Sequence, residues 1–496
     1  MESSMLSGSQ TPLSFRKQHD YLQGEIVALS AVLSPLRKLA VELIAQIFEL
    51  CLPIRALRDS AFRANEAPLL VAQINRDWRQ VALSTPRLWT RMSICLPLGR
   101  LPSPVWTTAI AQASFASLLW LSRAGNQNLH VAVQYVRSDE NNESDQSSRL
   151  WLPAATELVT RLLRRHGSHI EALSFFLPVP CVSPLLRANC PLMRKLTITD
   201  NGQWRPGGYQ AHLQVVPNGI HLPGQLRQLI LDTPAFDLQW ARYPWNQLTL
   251  LYLRHQHPIS LVDACNVLRM CHRLYTFMLA IGSPVGMVEQ LVVHSLRELW
   301  LYGSPDGSGA FLDVISTPRL KKLVIGDSYN HGSLLDFLQN LSGTLLSLRF
   351  HRIFNMPEDD LFDILQLAPS LVELDTVSTA HNLILEMLTP ENNFVPLCPR
   401  LESLSIRLHL ANEQLIELLE ARCGTAFRAQ GVAQLKKAHF TFMDSDQRNE
   451  TWEWDNDAWM QKVEQWRHEG VNLHVEDFDW DNSEGWDGTF EVVFGG

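Results

Sequence analysis

From residue 170 onward the chain repeats one apolar pattern, apolar-x-x-apolar-x-apolar, with Leu in most of the first two slots. Ile170-x-x-Leu173-x-Phe175 opens the series, and Met193-x-x-Leu196-x-Ile198 follows. Further instances begin at Leu226, Leu248, Leu274, Leu296, Leu320, Leu345, Leu371 and Leu401, and Leu435-x-x-Ala438-x-Phe440 closes it. Most starts lie 22–26 residues apart, with longer steps at 193–226, 371–401 and 401–435. Such spacing predicts a solenoid of strand-plus-helix repeats. Positions one, four and six would point into the core. Strand alternation then puts positions three, five and seven on a concave face. Pro318, Pro369 and Pro399 sit two residues before a first Leu, where proline ends a preceding helix. Leu334–Leu338 and Asp360–Leu365 read as helices between strands.

A helical period governs the N-terminal part. Leu22, Ile26, Leu29 and Leu33 predict an amphipathic helix ending at Ser34-Pro35. Leu39, Leu43, Ile47 and Leu50 form a second apolar stripe, widened by Phe48, and Ile74, Trp78, Val81 and Ala82 form a third. After Trp89 comes a connector from Pro97 to Pro104, a helix at Ala109–Leu121 and a strand at Leu129–Val133. Ser138–Ser148 holds no apolar anchor and reads as a mobile polar insertion.

The helical stretch carries a resemblance. Leu39-Ala40-Val41-Glu42-Leu43, with Ile47-Phe48 after it, resembles the F-box opening Leu-Pro-x-Glu-Leu/Ile-x-x-x-Ile-Phe. Ile74-Asn75-Arg76-Asp77-Trp78-Arg79-Gln80-Val81-Ala82 resembles the second half of that motif, Val-Cys-Arg-x-Trp-Arg-x-Ile-Ala. Ser84-Thr85-Pro86-Arg87-Leu88-Trp89 is similar to the ending found in the large fungal F-box group. Ala40 stands where the family has Pro, and Asn75 where it has Cys. With the repeats, the resemblance is to F-box/leucine-rich-repeat proteins. It implies the substrate receptor of an SCF-type ubiquitin ligase. Such a receptor holds a Skp-family adaptor, and through it a cullin, with its N-terminal helices, and a protein target with its solenoid. Leu36, Leu39, Ala40, Glu42, Leu43, Ile47, Phe48 and Trp78 are the adaptor-facing residues implied, Trp78 being either interface or internal core. The alternative is a repeat scaffold whose F-box-like helices only cap the solenoid.

The expected fold class is therefore α/β, an all-α F-box-like module followed by an irregular leucine-rich-repeat solenoid. The expected divisions are a disordered 1–14, an amphipathic helix 15–34, the F-box-like domain 35–92, and a connector with one helix–strand unit 93–168 containing the polar loop 137–149. The solenoid 169–442 and an acidic Trp-rich cap or tail 443–496 complete the chain. On the concave face, Tyr252, Met278, Trp300 and Tyr302 lie beside Arg254, Lys322, Arg349 and His351. Aromatics next to cations are common interface anchors, so the patch is expected to take a protein target with apolar and acidic groups.

Composition narrows the rest. The 496 residues are 46% hydrophobic and 19% charged, as expected for a large-cored globular chain. The net charge of −9 is concentrated at the end, where residues 450–496 hold 13 acidic and 2 basic residues. The near-neutral body gives no reason to expect nucleic acid. No run reaches 18 apolar residues, so no membrane span is expected. The start shows no signal peptide, and eight scattered cysteines fit reduced thiols in the cytoplasm or nucleus.

No catalytic constellation, metal set or cofactor motif emerges. Gly303–Gly309 lacks the Lys-Ser/Thr of a phosphate cradle and reads as a loop after a strand. Cys265, Cys271 and His272 fall short of a zinc frame, and His255 with His257 lacks a third ligand. Asp477, Asp479 and Asp481 alternate like a calcium loop, but Asn482 and Gly488 stand where Gly and Glu are needed. Trp459, Val463 and Trp466 suit a helix and Val471–Val475 a strand, which reads as a cap on the last repeat followed by a loose end, the alternative being an acidic interaction arm. A non-catalytic protein without cofactor is expected.

Overall fold

The structure is a computed structural model of the chain. It describes residues 19, 21–25, 39–53, 62–96, 105–135, 145–177, 181, 184–185, 188–199, 224–232, 244–253, 258–282, 284, 286–326, 328–341, 343–351, 353, 356–380, 382–390, 396–408, 413–423, 432–442, 456–468 and 470–477. The predicted N-terminus 1–14, Leu36, the connector 97–104, Arg254, His255 and His257, and the end of the tail from 478 lie outside the described residues. Residues 21–25 are helical and Leu22 is exposed, whereas Ile26, Leu29 and Leu33 fall outside.

Met1–Asn142 is one compact unit and Glu143–Gly496 another. In the first, helices run Val41–Leu50, Val71–Ile74 and Arg76–Ser84, and a 3-10 turn follows at Pro86–Trp89. Asn75 caps the third helix, its side-chain oxygen accepting from the Trp78 backbone N–H at 2.8 Å. Asn is among the best residues at that position, worth about 1 kcal/mol over Ala. Ala40 is the N-cap of the first helix, with φ −60° and ψ 146°. Proline adopts the same backbone angles.

Trp89 anchors this unit. It is buried, its indole N–H donates to the Ala82 carbonyl at 2.8 Å, and its ring meets Trp120 edge-on at 4.8 Å. The Arg123 guanidinium lies 4.4 Å from the Trp89 ring centroid.

Helices and turns occupy the described residues from 39 to Trp89, the expected strand at Leu129–Val133 is present, and one strand was not expected, beginning at the end of the 35–92 segment. Strand β1 (Arg91–Leu96) is followed by the helix Trp106–Arg123 and then by β2 (Leu129–Tyr135), parallel to β1. Met92, Ile94 and Leu96 are buried at period-two spacing, the strand signal that sequence reading passed over.

The second unit opens with a helix, Asp145–His166. It begins inside the segment expected to be a polar loop. Ala155, Leu158, Val159, Leu162 and Leu163 are buried on one helical face, and the helix extends back to Asp145.

A run of parallel strands follows: β3 (Ile170–Phe176), β4 (Lys195–Thr199), β5 (Gln228–Asp232), β6 (Leu250–Leu253), β7 (Thr276–Ile281), β9 (Glu298–Gly303), β11 (Lys322–Gly326), β12 (Ser347–His351), β13 (Glu373–Ala380), β14 (Ser403–Leu408), β15 (Lys437–Phe442) and β16 (Asn472–Asp477). They neighbour one another in that order. Two short strands, β8 (Leu291–Val292) and β10 (Ile315–Ser316), pair separately.

The repeat pattern sets the register. Position four of every repeat aligns with position four of the next: Leu173 with Leu196, then Leu229, Leu251, Phe277, Leu299, Leu323, Leu348, Leu374, Leu404 and Ala438. Leu473 of β16 extends the row by one strand. All are buried. A one-residue slip would turn each of these side chains to the other face, so the ladder fixes the pairing.

Within this run, helices lie at Leu261–Met270, Pro305–Val314, His331–Gln339, Glu358–Gln366, Asn382–Leu388, Glu413–Cys423 and Asn456–His468, and the described residues between β7 and β9 hold none. The expected strand-plus-helix unit therefore does not hold in every repeat. Gly303–Gly309 is also not a plain loop. Ser304 caps a helix by accepting from Gly307 N–H, and Pro305 takes its first turn. A Cβ at Gly307 would stand 1.7 Å from the Gly282 carbonyl oxygen, so close packing explains that glycine. At the C-terminal end, Val463, Trp466, Val471 and Leu473 are buried in the helix–strand unit that β16 completes.

Candidate functional site

Two surfaces hold the residues singled out from sequence. The first lies on the helices of the N-terminal unit. The Val41–Leu50 helix carries two adjacent apolar stripes. Ile44 and Phe48 turn inward, and Phe48, 1% exposed, packs on the half-buried Trp78 with ring centroids 5.0 Å apart. Leu43, Ile47 and Leu50 turn outward at i, i+4 and i+7, exposed by 47%, 40% and 87%. Val41, Leu70 and Ile74 are exposed as well.

Of the implied adaptor-facing residues, Ala40, Glu42, Leu43 and Ile47 are exposed and Leu39 is half-buried. Phe48 belongs to the interior, which corrects its placement. Residues at 100° steps along a helix put 43 and 47 beside 44 and 48, and the spacing alone does not say which pair turns inward.

The second surface is the sheet face opposite the leucine ladder. One row runs along it in register: Thr197, Ile230, Tyr252, Met278, Trp300, Val324, Arg349, Asp375, Ser405, His439 and His474. Parallel strands stand about 4.8 Å apart, so large side chains in one row cover each other. Ile230, Tyr252, Met278, Ala280 and Tyr302 accordingly form a buried cluster, with Leu250 and Trp300 packed against it. Tyr252, Met278 and Tyr302 are thus core residues, not presented anchors. Trp300 remains half-buried.

Tyr302 fits because the next strand supplies no side chain beneath it. A Cβ at Gly326 would lie 2.3 Å from the Tyr302 ring. His351 meets the same ring edge-on with centroids 6.1 Å apart.

Lys322 and Arg349 of the expected patch are engaged. The Lys322 ammonium lies 5.1 Å from the Trp300 ring centroid. Burial lowers its pKa and the Arg349 charge adds to that, while Glu373, Glu298 and Asp375 act the other way. Arg349 is ion-paired with Glu373 and lies 3.8 Å from the Asp375 carboxylate. Ser347 donates to Glu373 at 2.7 Å.

The two carboxylates respond oppositely. Burial alone would raise the Glu373 pKa, but the Ser347 hydrogen bond and the Arg349 guanidinium bring it below the usual range. Burial raises the Asp375 pKa, and its more distant share of Arg349 does not cancel that. Glu298, Glu373 and Asp375 are therefore integral to this surface, though sequence reading selected only the cations. The signal was available, since they occupy the same repeat positions on neighbouring strands.

Elsewhere, Cys265, Cys271 and Cys398 are buried. Burial raises their thiols, Cys271 and Cys398 each to about 12, so these are packing groups, not nucleophiles. No group of three or more His, Cys, Asp or Glu suited to a metal occurs among the described residues. No helix there is long and apolar enough to cross a membrane.

No family model matches the chain, and no curated protein matches it. Among solved structures it is similar to the crystal structure of the Rad7 and Elc1 complex in yeast. That match has 13% identity and a TM-score of 0.35, and covers 81% of this chain and 94% of that one.

Proposed function

We propose that this chain is a non-catalytic substrate receptor of an SCF-type ubiquitin ligase. Its N-terminal helices hold a Skp-family adaptor, which brings a cullin, and the face opposite the leucine ladder receives a protein target. The observation that carries the reading is the outward stripe Leu43, Ile47 and Leu50, which none of the described residues covers. Covering three half-exposed aliphatic side chains is worth about 3–5 kcal/mol, enough to hold a partner when joined by specific polar contacts. The resemblance of Leu39–Phe48 and Ile74–Ala82 to the F-box supplies the partner's identity. The reduced thiols suit work in the cytoplasm or nucleus.

In the scaffold reading this stripe would need no partner. The test is co-expression with a Skp-family adaptor followed by size exclusion, comparing wild type with Leu43→Asp. Co-elution of wild type, lost in a folded variant, supports the receptor reading. A folded wild type that elutes alone would return the chain to the scaffold reading.

A further inference from the structure

Across β9–β13, the face opposite the leucine ladder carries three carboxylates, Glu298, Glu373 and Asp375, and two cations, Lys322 and Arg349. Both cations are already engaged, Arg349 by two carboxylates and Lys322 by the Trp300 ring. Asp375 has a hydrogen bond with Ser405 and His439 nearby, but its one ion pair is the distant share of Arg349 at 3.8 Å, and its side chain is about one-third exposed. Toward β6 the same face turns apolar, and Leu250 and Trp300 form the accessible edge of the buried cluster.

A partner covering this face would desolvate Asp375 beside a guanidinium already committed elsewhere. A carboxylate from the partner would worsen that deficit, whereas a cation would relieve it. From β6 to β13 is five strand spacings, about 24 Å at roughly 4.8 Å each. An extended chain covers that in about seven or eight residues at some 3.3 Å per residue.

We infer that the target segment received here is an extended peptide with a large apolar residue at one end and Lys or Arg at the other. The apolar residue lies on Leu250 and Trp300, and the basic one on Asp375 and Glu373. The inference rests on the receptor reading and names the chemistry of its target. It reverses the acidic preference suggested by Arg349 and Lys322 when their carboxylate partners are left out.

The experiment uses the full chain and two labelled eight-residue peptide pools. Both have Leu, Phe or Trp in the first two places and Ser or Gly in the middle. One ends in two Arg or Lys, the other in two Glu or Asp. Fluorescence anisotropy is expected to show the basic pool binding at least tenfold more tightly. Because residues 450–496 are themselves acidic, the deciding comparison is with Glu373→Gln/Asp375→Asn, which leaves that stretch intact. The variant should lose the preference, and Trp300→Ala should weaken both pools.

A preference that survives in the double variant, an equal or acidic preference in wild type, or no binding of either pool would each overturn the inference. Circular dichroism and thermal melts confirm that the variants are folded, and adaptor capture on the same preparations separates the two claims. Capture without discrimination ends only the peptide inference, and discrimination without capture ends only the ligase reading.

Discussion

The rings of Phe48 and Trp78 meet with centroids 5.0 Å apart and planes inclined at 59°, joining the first and third helices of the N-terminal unit. This contact separates what holds those helices together from what they offer outward. Trp78→Ala is expected to destabilise the unit by about 3 kcal/mol. Leu43→Asp on the exposed stripe should change stability by no more than about 0.5 kcal/mol. Chemical denaturation followed by Trp fluorescence distinguishes them. Equal losses in both variants would mean that Leu43 is a core residue.

The Gly326–Tyr302 packing gives a second test. Gly326→Ala should destabilise by about 1–3 kcal/mol, because the buried ring has to move to admit a methyl group. In a Tyr302→Ala background the same change should cost much less, a coupling that a double-mutant cycle reads directly. Additive effects would refute the contact.

Arg422 is buried and its guanidinium donates to three backbone carbonyls, those of Leu388, Leu397 and Cys398. Arg422→Met keeps an apolar stem and leaves the carbonyls without their donors. The expected cost is about 3 kcal/mol. Hydrogen exchange should show lost protection first in residues 382–423, and unchanged protection there would rule the role out.

The two carboxylates on Arg349 predict opposite pH behaviour. Glu373 has a lowered folded-state pKa, so its contribution is present above the unfolded value and lost as pH falls through the folded one. Asp375 has a raised pKa, so its ionised form opposes folding at neutral pH, and that opposition fades as pH falls through its folded value. Glu373→Gln should therefore lower Tm at pH 7, with the difference from wild type shrinking in acid. Asp375→Asn should raise Tm at pH 7. Thermal melts at pH 7 and pH 4 decide the matter, and a lower Tm for Asp375→Asn at pH 7 would contradict it.

The leucine ladder was fully legible because strand alternation and parallel register depend only on spacing, and each repeat's fourth position is apolar. The open face was legible by position but not by accessibility. Tyr252, Met278 and Tyr302 cover one another, which depends on the sizes of neighbouring side chains and on the absence of one at Gly326. Arg349 looked like a free cation because Glu373 and Asp375 lie 24 and 26 residues further along the chain. Arg422 left no trace in the pattern, since its partners are backbone carbonyls and carry no residue identity.

The nearest-neighbour pairing of β3 through β16 also has a mechanical meaning. Each late strand is held by the one before it, so tension on the C-terminal end would peel β16, β15 and β14 away in turn rather than rupture the sheet at once. Arg422, inside the long step 401–435, is tied to the carbonyls of Leu388, Leu397 and Cys398 inside the long step 371–401. Under force that knot would stand out as one taller step in an otherwise even series.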